Sequence, residues 1–299
     1  MSKEINIKQV DAFSDKAFGG NPAGVVLNAN SLDEEEMLLI AREMNLSETA
    51  FVVSSDKADF RIRWFTTQKE VLFCGHATVA AIHAIGEEGL YSTSEEGEYS
   101  FEVETLVGIL NVRLIKNQDD LTVFLEAPQS SFSKEDIDID FLTQSLNISR
   151  DSLAQLPIYI DRTIDYMFIP LQSLHYLKSY EYNYHLLKTF GEKYSIKGFS
   201  LFTTDTFEEA NNVHSRFFCP YYDDIEDPCT GSANAPLAKL LVMHEIVEMS
   251  ENNTFVLAEQ GDFIDRPSRL KIKVEKSGGD LKSTIVGNAF TVINGVMRL

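Results

Sequence analysis

The chain has 299 residues, 44% of them hydrophobic and 24% charged, and its 46 acidic against 26 basic residues give a net charge of −20. This is an ordinary globular composition, which excludes disordered, collagen-like and coiled-coil proteins. The negative charge argues against binding to nucleic acid or to an anionic membrane, because both need clustered lysine and arginine. A site for an anionic small molecule would therefore need its own local positive field.

In chain order, short runs rich in Val, Ile and Phe predict strands at residues 5–13, 24–27, 50–53, 60–65, 123–126, 166–170, 199–203, 213–219, 254–258, 270–274 and 285–293. Apolar residues at helical spacing predict helices at residues 32–44, 77–88, 136–146, 185–194 and 235–244. Strands outnumber helices and precede them in runs, which favours an α+β fold. The length predicts two domains of about 150 residues.

The two halves of the chain share one pattern. An aromatic strand at residues 63–65 precedes Gly75 and an alanine-rich helix, and a similar strand at 216–218 precedes Gly231 and a second small-residue helix. The second copy follows about 150 residues after the first, which equals the domain size expected from the length. We interpret the pattern as two related halves, each enclosing a small-residue helix within a curved sheet.

Cysteine usage indicates the compartment. The three cysteines, Cys74, Cys219 and Cys229, are an odd number without a CxxC pair, and no apolar signal region precedes the first strand. No stretch reaches the roughly 20 apolar residues of a membrane span. We therefore expect a cytoplasmic protein with no membrane partner.

The first segment of chemical interest is residues 74–78. Gly75 permits a sharp turn before a helix, whose first amides and positive dipole end favour an anion. His76 is a candidate proton carrier, and a satisfied core or capping histidine is the alternative. Cys74 is either a thiol base or a buried, inert cysteine.

The second segment, residues 226–233, again leads through a glycine into a helix. Thr230 or Ser232 can cap that helix and bind the oxygens of an anion, while Asp227 can orient an ammonium or hydroxyl group. The alternative is an ordinary capping cluster beside a solvated acidic loop. Pro236 is tolerated only near a helix start, so it predicts a helix that begins after Ser232.

Glu48 lies between a predicted helix end and an apolar strand. A carboxylate in such surroundings can be desolvated and its pKa raised, as a general acid/base near neutral pH requires. An ordinary surface glutamate is the alternative. The turn-rich loop at residues 18–24 lacks the glycine patterns of phosphate-binding loops, and the His and Cys spacings do not resemble a metal site.

These segments together resemble the PhzF-like isomerases of phenazine biosynthesis. The matching motifs are, in order, residues 9–13 (QVDAF), 20–25 (GNPAGV), 47–51 (SETAF), 74–78 (CGHAT), 227–233 (DPCTGSA), 260–261, 266–268, Gly287 and Gly295. The resemblance covers nearly the whole chain. It implies a diaminopimelate epimerase-like architecture, in which two pseudo-symmetric halves each wrap a curved sheet around a central helix, with a cleft between them. The halves would be residues 1–128 with a returning strand at 285–299, and residues 129–284.

The resemblance also implies an activity and its residues. Glu48 corresponds to the family's proton-shuttling carboxylate, with His76 and Asp227 as further catalytic residues. The implied substrate-binding residues are Gly75, Ala77, Thr78, Thr230, Gly231 and Ser232. The expected enzyme isomerises a small amino- or hydroxy-carboxylate without a metal or cofactor, and its relatives often form homodimers. Trp64, Tyr221 and Tyr222 are candidates for the pocket lining.

Two other interpretations remain open at this stage. Cys74 and Cys229, one in each half, are similar to the thiol pair of cysteine racemases and epimerases such as proline racemase, although the order Cys-Thr-Gly departs from theirs. Cys229 also stands where alanine is usual in the PhzF-like family. The second alternative is a non-catalytic protein that binds a small anion, because a fold does not guarantee an activity.

Overall fold

A computed structural model describes residues 3–118, 120–178, 183–220 and 226–299. The chain divides into two compact units, the first formed by Met1–Glu126 with Ile285–Leu299 and the second by Ala127–Thr284. Within the described residues, no helix has both the length and the apolar character needed to cross a membrane.

The secondary structure is dominated by strands. They are β1 (Glu4–Ala12), β2 (Asn21–Val26), β3 (Glu48–Val53), β4 (Phe60–Phe65), β5 (Glu70–Val71), β6 (Gly97–Thr105), β7 (Gly108–Asn117), β8 (Asp120–Glu126), β9 (Phe132–Ser133), β10 (Tyr159–Asp161), β11 (Tyr166–Pro170), β12 (Gly198–Thr203), β13 (Val213–Phe218), β14 (Glu226–Asp227), β15 (Asn253–Gln260), β16 (Ser268–Ser277), β17 (Asp280–Gly287) and β18 (Ala289–Arg298). The helices are α1 (Glu34–Met44), α2 (Gly75–Glu87), α3 (Ile139–Leu146), α4 (Leu174–Lys178), α5 (Tyr184–Tyr194) and α6 (Gly231–Met243). Short 3₁₀ turns cover Arg150–Ser152 and Asp262–Ile264.

In the first unit, a mixed sheet curves around α2. Strand β1 pairs antiparallel with β2 and β18, β2 runs parallel to β3, and β3 pairs antiparallel with β4. Strand β4 then pairs antiparallel with β5 and parallel with β6, which leads through β7 to β8 by antiparallel pairs. Helix α2 packs against strands from both ends of this series, β1 and β2 as well as β7 and β8. Every residue from His76 to Gly86 is buried, because a helix that is apolar and small on all sides can be enclosed.

The second unit repeats this order of connections. Strand β9 pairs antiparallel with β10, β10 with β11, and β11 runs parallel to β12. Strand β12 pairs antiparallel with β13, which pairs antiparallel with β14 and parallel with β15, and β15 pairs antiparallel with β16. Helix α6 follows the short strand β14 as α2 follows β5, and it packs against β16. The α+β class and the two pseudo-symmetric halves are therefore confirmed.

Two element predictions were wrong. Helix α6 begins at Gly231, so Pro236 does not delay the helix. The proline lacks the amide that would bond to the carbonyl of Ser232 four residues earlier, but the helix continues through it. The predicted strand at 285–293 is two strands, β17 and β18, that meet at Asn288.

Candidate active site

Glu48 is the first residue of β3, and it lies opposite Ala23 of the parallel strand β2. Helix α1 ends at Asn45, whose left-handed backbone (φ 50°) turns the chain towards β3. The residues that follow Glu48, from Thr49 to Val52, are buried, whereas the Glu48 side chain keeps 20% of its surface exposed. The carboxylate is therefore partly shielded and still reachable from solvent.

The N-terminus of α2 supplies amide donors beside this carboxylate. Cys74 is the N-cap residue, with an extended backbone, and the helix begins at Gly75. Thr78 donates both its amide, at 3.1 Å, and its hydroxyl, at 2.6 Å, to the carbonyl of Cys74. Thr78 thus uses its donors to hold the first turn, and the amides of Gly75, His76 and Ala77 lack acceptors within the helix.

His76, in the first turn of α2, lies beside the carboxylate of Glu48. Its Nε2 atom lies 3.4 Å from Oε2 of Glu48, and its Nδ1 atom lies 3.5 Å from Sγ of Cys74. Burial lowers the pKa of His76 to about 4, so the imidazole is neutral at neutral pH. With its proton on Nε2, the ring donates to the Glu48 carboxylate and accepts from the Cys74 thiol.

These three side chains also form a potential ligand set. A carboxylate oxygen of Glu48, Sγ of Cys74 and a ring nitrogen of His76 all lie within 4.8 Å of one another. Sequence spacing did not reveal this group, because Glu48 lies in a strand far from residues 74–76 in the chain.

Helices α2 and α6 differ from three other helices in that no side chain caps the amides at their N-termini. Side chains cap α1, α3 and α5, through Asp33, Asp138 and Asn183. Neither Cys74 at α2 nor Thr230 at α6 makes a side-chain cap bond, and neither helix has an acidic residue in its first turn. A helix N-terminus with no side-chain cap and no acidic residue in its first turn keeps its amides available to an anion.

In the second unit, Thr230 is engaged with Asp227. Its hydroxyl donates to Oδ2 of Asp227 at 2.5 Å. Thr230 is the N-cap residue of α6 but makes no side-chain cap bond, and Ser232 lies inside the helix, so the predicted side-chain cap by Thr230 or Ser232 was wrong. The short separation of Thr230 and Asp227, across the turn before the helix, allows the bond between their side chains. Gly231 is buried and Ser232 is partly exposed in the first turn of α6.

Gln260, at the end of β15, organises this turn. Its Nε2 donates to the main-chain carbonyl of Asp227 at 2.7 Å and to the hydroxyl of Thr230 at 3.1 Å. Its Oε1 accepts from the Thr230 amide at 3.1 Å and from Nδ2 of Asn234 at 2.7 Å. Reasoning from the residues alone missed this role. The available signal was a polar side chain at the end of an apolar strand, followed by a glycine.

A buried ion pair fixes Glu226, the residue before Asp227. The guanidinium of Arg216 donates to both carboxylate oxygens of Glu226, at 2.6 and 3.0 Å. Because both side chains are buried and the contact is bidentate, Glu226 of β14 is held firmly against Arg216 of β13. Asp227 therefore follows an anchored residue and precedes a turn fixed by Gln260.

Comparison with known proteins identifies the family of the chain. The sequence pattern of the PhzC-PhzF family, described as "Phenazine biosynthesis-like protein", matches residues 10–295. The chain belongs to the PhzC-PhzF family. A similar relative is an uncharacterized isomerase of Clostridium acetobutylicum, 34% identical over the full length of both chains. The trans-2,3-dihydro-3-hydroxyanthranilate isomerase of Pseudomonas chlororaphis is 29% identical, over 97% of this chain and 98% of that protein. This PhzC-PhzF protein is accordingly an isomerase.

A solved structure supports the same assignment. The PhzF family protein of Bacillus anthracis superposes with a TM-score of 0.89, at 30% identity over 99% of both chains. This PhzC-PhzF fold therefore extends over the whole chain, in both units.

The other residues proposed from the sequence of this PhzC-PhzF protein are either fully buried or outside the described residues. Cys229 is fully buried, and burial raises the pKa of its thiol well above the usual value, which opposes the thiolate that a cysteine racemase needs. Trp64 is fully buried and makes an edge contact with Phe73, which removes it from the candidate pocket lining. Tyr221 and Tyr222 lie outside the described residues.

Proposed function

We propose that this isomerase moves a proton within a small amino- or hydroxy-carboxylate, with Glu48 as the acid/base and without a metal or redox cofactor. The observation that carries the proposal is the position of Glu48. Its partly shielded carboxylate lies 3.4 Å from a buried imidazole at the start of an uncapped helix. This position supports the proposal, because a carboxylate beside free helix amides can accept a proton from an organic anion held there.

The amides of Gly75, His76 and Ala77 would bind the substrate carboxylate. They lie at the positive end of the α2 dipole, which supplies the local positive field that an anion needs on a protein of charge −20. Thr78 contributes indirectly, since its two bonds to the Cys74 carbonyl hold the first turn in place. The same amides would stabilise negative charge that spreads into the carboxylate during proton removal.

The reaction consists of two proton transfers. The Glu48 carboxylate removes a proton from a carbon made acidic by conjugation with the substrate carboxylate, and the electron pair enters the π system. The protonated Glu48 then returns the proton to another carbon of that system. One C–H bond breaks and one forms, so the shift is redox-neutral and regenerates the carboxylate. Neutral His76 orients Glu48 through Nε2 and stabilises its charged form.

The family resemblance also implies roles for residues around the start of α6. We assign Asp227 to an amino or hydroxyl group of the substrate, and Gly231 and Ser232 to its oxygens. The support is the family resemblance of these motifs, together with the uncapped start of α6. Thr230 acts through Asp227, because its hydroxyl donates to that carboxylate.

The first substrate to test is trans-2,3-dihydro-3-hydroxyanthranilate, which the name of the Pseudomonas chlororaphis relative specifies. The compound carries an amino group, a hydroxyl group and a carboxylate on a conjugated ring, which are the groups that the proposed contacts would recognise. A panel of other conjugated amino- and hydroxy-carboxylates should accompany it.

The test is proton exchange in D₂O. Mass spectrometry should detect deuterium in the substrate or product with the wild type, and Glu48→Gln should slow this exchange by about 10²–10⁴-fold. Glu43→Gln, on the exposed face of α1, is the matched control and should exchange at the wild-type rate. Undiminished exchange in Glu48→Gln would remove Glu48 from its role. If alkylation of the cysteines abolished exchange in that variant, the cysteine-pair racemase would be the better interpretation.

A further inference from the structure

We propose that Glu48, Cys74 and His76 form a binding site for one Zn²⁺ ion. The three side chains offer a carboxylate oxygen, a thiol sulfur and an imidazole nitrogen, which are the three ligand types of zinc sites in proteins. Neither the family membership nor the proposed proton shift requires a metal at this place. The site is therefore an additional property of these residues.

The ligand atoms lie close to the separations of tetrahedral coordination. Zinc bonds of about 2.0–2.3 Å place neighbouring ligand atoms roughly 3.3–3.8 Å apart. Nε2 of His76 lies 3.4 Å from Oε2 of Glu48 and 4.0 Å from Sγ of Cys74. Sγ of Cys74 lies nearer to Nδ1 of His76, at 3.5 Å, than to Nε2, so the Cys74 side chain must rotate towards Nε2 for one ion to contact all three ligands. Three protein ligands leave a fourth position for water, as in zinc sites that are open to solvent.

The surroundings favour a cation that arrives from solvent. Cys74 and His76 are buried, which shields the metal bonds from competing water, while Glu48 keeps part of its surface exposed and gives an entry path. The net charge of −20 attracts divalent cations to the surface. The N-terminal turn of α2, held by the two bonds of Thr78, limits movement of Cys74 and His76.

Binding would exchange one proton for the metal. The Cys74 thiol loses its proton to solvent as the Zn–S bond forms, and the Glu48 carboxylate binds directly. Neutral His76 binds through Nε2 as the tautomer that carries its proton on Nδ1. A bound ion would occupy the acid/base and its imidazole partner, so zinc and substrate would exclude each other. This last consequence depends on the proposed function, whereas metal binding itself does not.

The direct test uses Co²⁺ as a spectroscopic probe on the full chain after treatment with a chelator. Wild type should bind one Co²⁺ with a thiolate-to-cobalt charge-transfer band in the near ultraviolet, and one equivalent of Zn²⁺ should abolish the band. Cys74→Ser should lose the band and bind Zn²⁺ at least about 100-fold more weakly. Cys219→Ser is the matched control and should keep both the band and the affinity.

A second variant keeps the test independent of any folding defect. Glu48→Gln is nearly isosteric and should retain the thiolate band while binding Zn²⁺ more weakly, with an unchanged circular dichroism spectrum. A band that persists in Cys74→Ser would place the metal at another cysteine and overturn the proposal. So would equal Zn²⁺ affinity in all variants, or no binding by the wild type. Deuterium exchange without added metal is measured separately, so either result can fail alone.

Discussion

Gln260 donates from Nε2 to the main-chain carbonyl of Asp227 at 2.7 Å, so a strand end fixes the backbone of the turn before α6. The carboxylate of the same aspartate accepts from Thr230. Backbone and side chain of Asp227 are therefore oriented by different partners. This arrangement makes Gln260 a positioning residue, and its removal should disturb the turn without touching the proposed acid/base.

We expect Gln260→Ala to destabilise the protein by about 1–3 kcal/mol for each buried partner left without a bond. The partners at risk are the Thr230 amide and the Asn234 side chain, because both are buried and donate to Oε1. Urea denaturation measures the change in the free energy of unfolding. Gln172→Ala, at an exposed position, should change it by less than about 0.5 kcal/mol. Equal stability of the two variants would show that the network contributes nothing.

Position 261 requires glycine for two reasons, its backbone conformation and the lack of room for a side chain. Its φ is +82°, and a Cβ there would lie 2.3 Å from the carbonyl oxygen of Arg266 and 2.6 Å from that of Pro228. Gly278 offers a matched control, since it also has a positive φ (+62°) but no atom within 4 Å of an added Cβ. Gly261→Ala should lose about 1–3 kcal/mol more than Gly278→Ala, because only the first adds overpacking to backbone strain.

Thermal and urea unfolding of the two alanine variants would measure this difference. Because Pro228 lies in the turn after Asp227, the crowding at Gly261 should also displace the proposed substrate contacts. If both variants lost the same free energy, backbone strain alone would explain the glycine, and the close contact with Pro228 would have no energetic weight.

His83 on α2 should make the protein less stable in mild acid. Burial lowers the pKa of His83 to about 4, while Lys8 acts in the same direction and Glu87 and Asp120 oppose it. Between about pH 6.5 and pH 4 the unfolded chain binds a proton that the folded chain does not, so stability falls as the pH falls through this window. The loss is about 1.4 kcal/mol per pH unit for such a group.

The variant His83→Gln should therefore flatten the dependence of the unfolding free energy on pH between pH 6.5 and pH 4. His185→Gln removes an exposed histidine and should leave the curve of the wild type unchanged. The buried His76 titrates in the same direction and is kept in both proteins, so some acid sensitivity should remain. An unchanged slope in His83→Gln would contradict the lowered pKa.

Much of the fold follows from contiguous apolar runs. The strands Phe60–Phe65 and Tyr166–Pro170 were predicted at the observed bounds. Tyr166–Pro170 is a contiguous apolar run, and in Phe60–Phe65 only Arg61 and Arg63 interrupt the buried apolar residues. The strand Gly97–Thr105 was missed. Its buried Phe101 and Val103 alternate with charged residues on the exposed face, so it contains no continuous apolar run.

The candidate site was predictable only in part. The turn at Gly75 and the small-residue helix were visible as a local pattern, whereas the contact of His76 with Glu48 joins a helix start to a distant strand and came from the family resemblance. The bonds of Gln260 depend on where β15 ends relative to α6. No local spacing encodes that relation, because it arises when β15 pairs with β13 in parallel.

Glu259, which precedes Gln260 on β15, has a buried carboxylate. Burial disfavours the charged form of Glu259, but hydrogen bonds from His214, Asn211 and the amides of Phe207 and Glu208 outweigh it and lower the pKa to about 2. These four donors lie 2.8–2.9 Å from the carboxylate oxygens. The group is thus ionised and fully paired in the folded protein.

Glu259→Gln should cost about 2–3 kcal/mol of stability at pH 7, because an amide nitrogen would face amide donors that now bond a carboxylate oxygen. In the wild type this stabilisation is present above about pH 4.5 and is lost as the pH falls towards 2, since the folded pKa lies below the unfolded one. Urea unfolding at pH 7 and pH 3 measures both effects. Glu209→Gln, at an exposed position, should match the wild type. If Glu259→Gln were as stable as Glu209→Gln at pH 7, the donors around Glu259 would not be stabilising its charge.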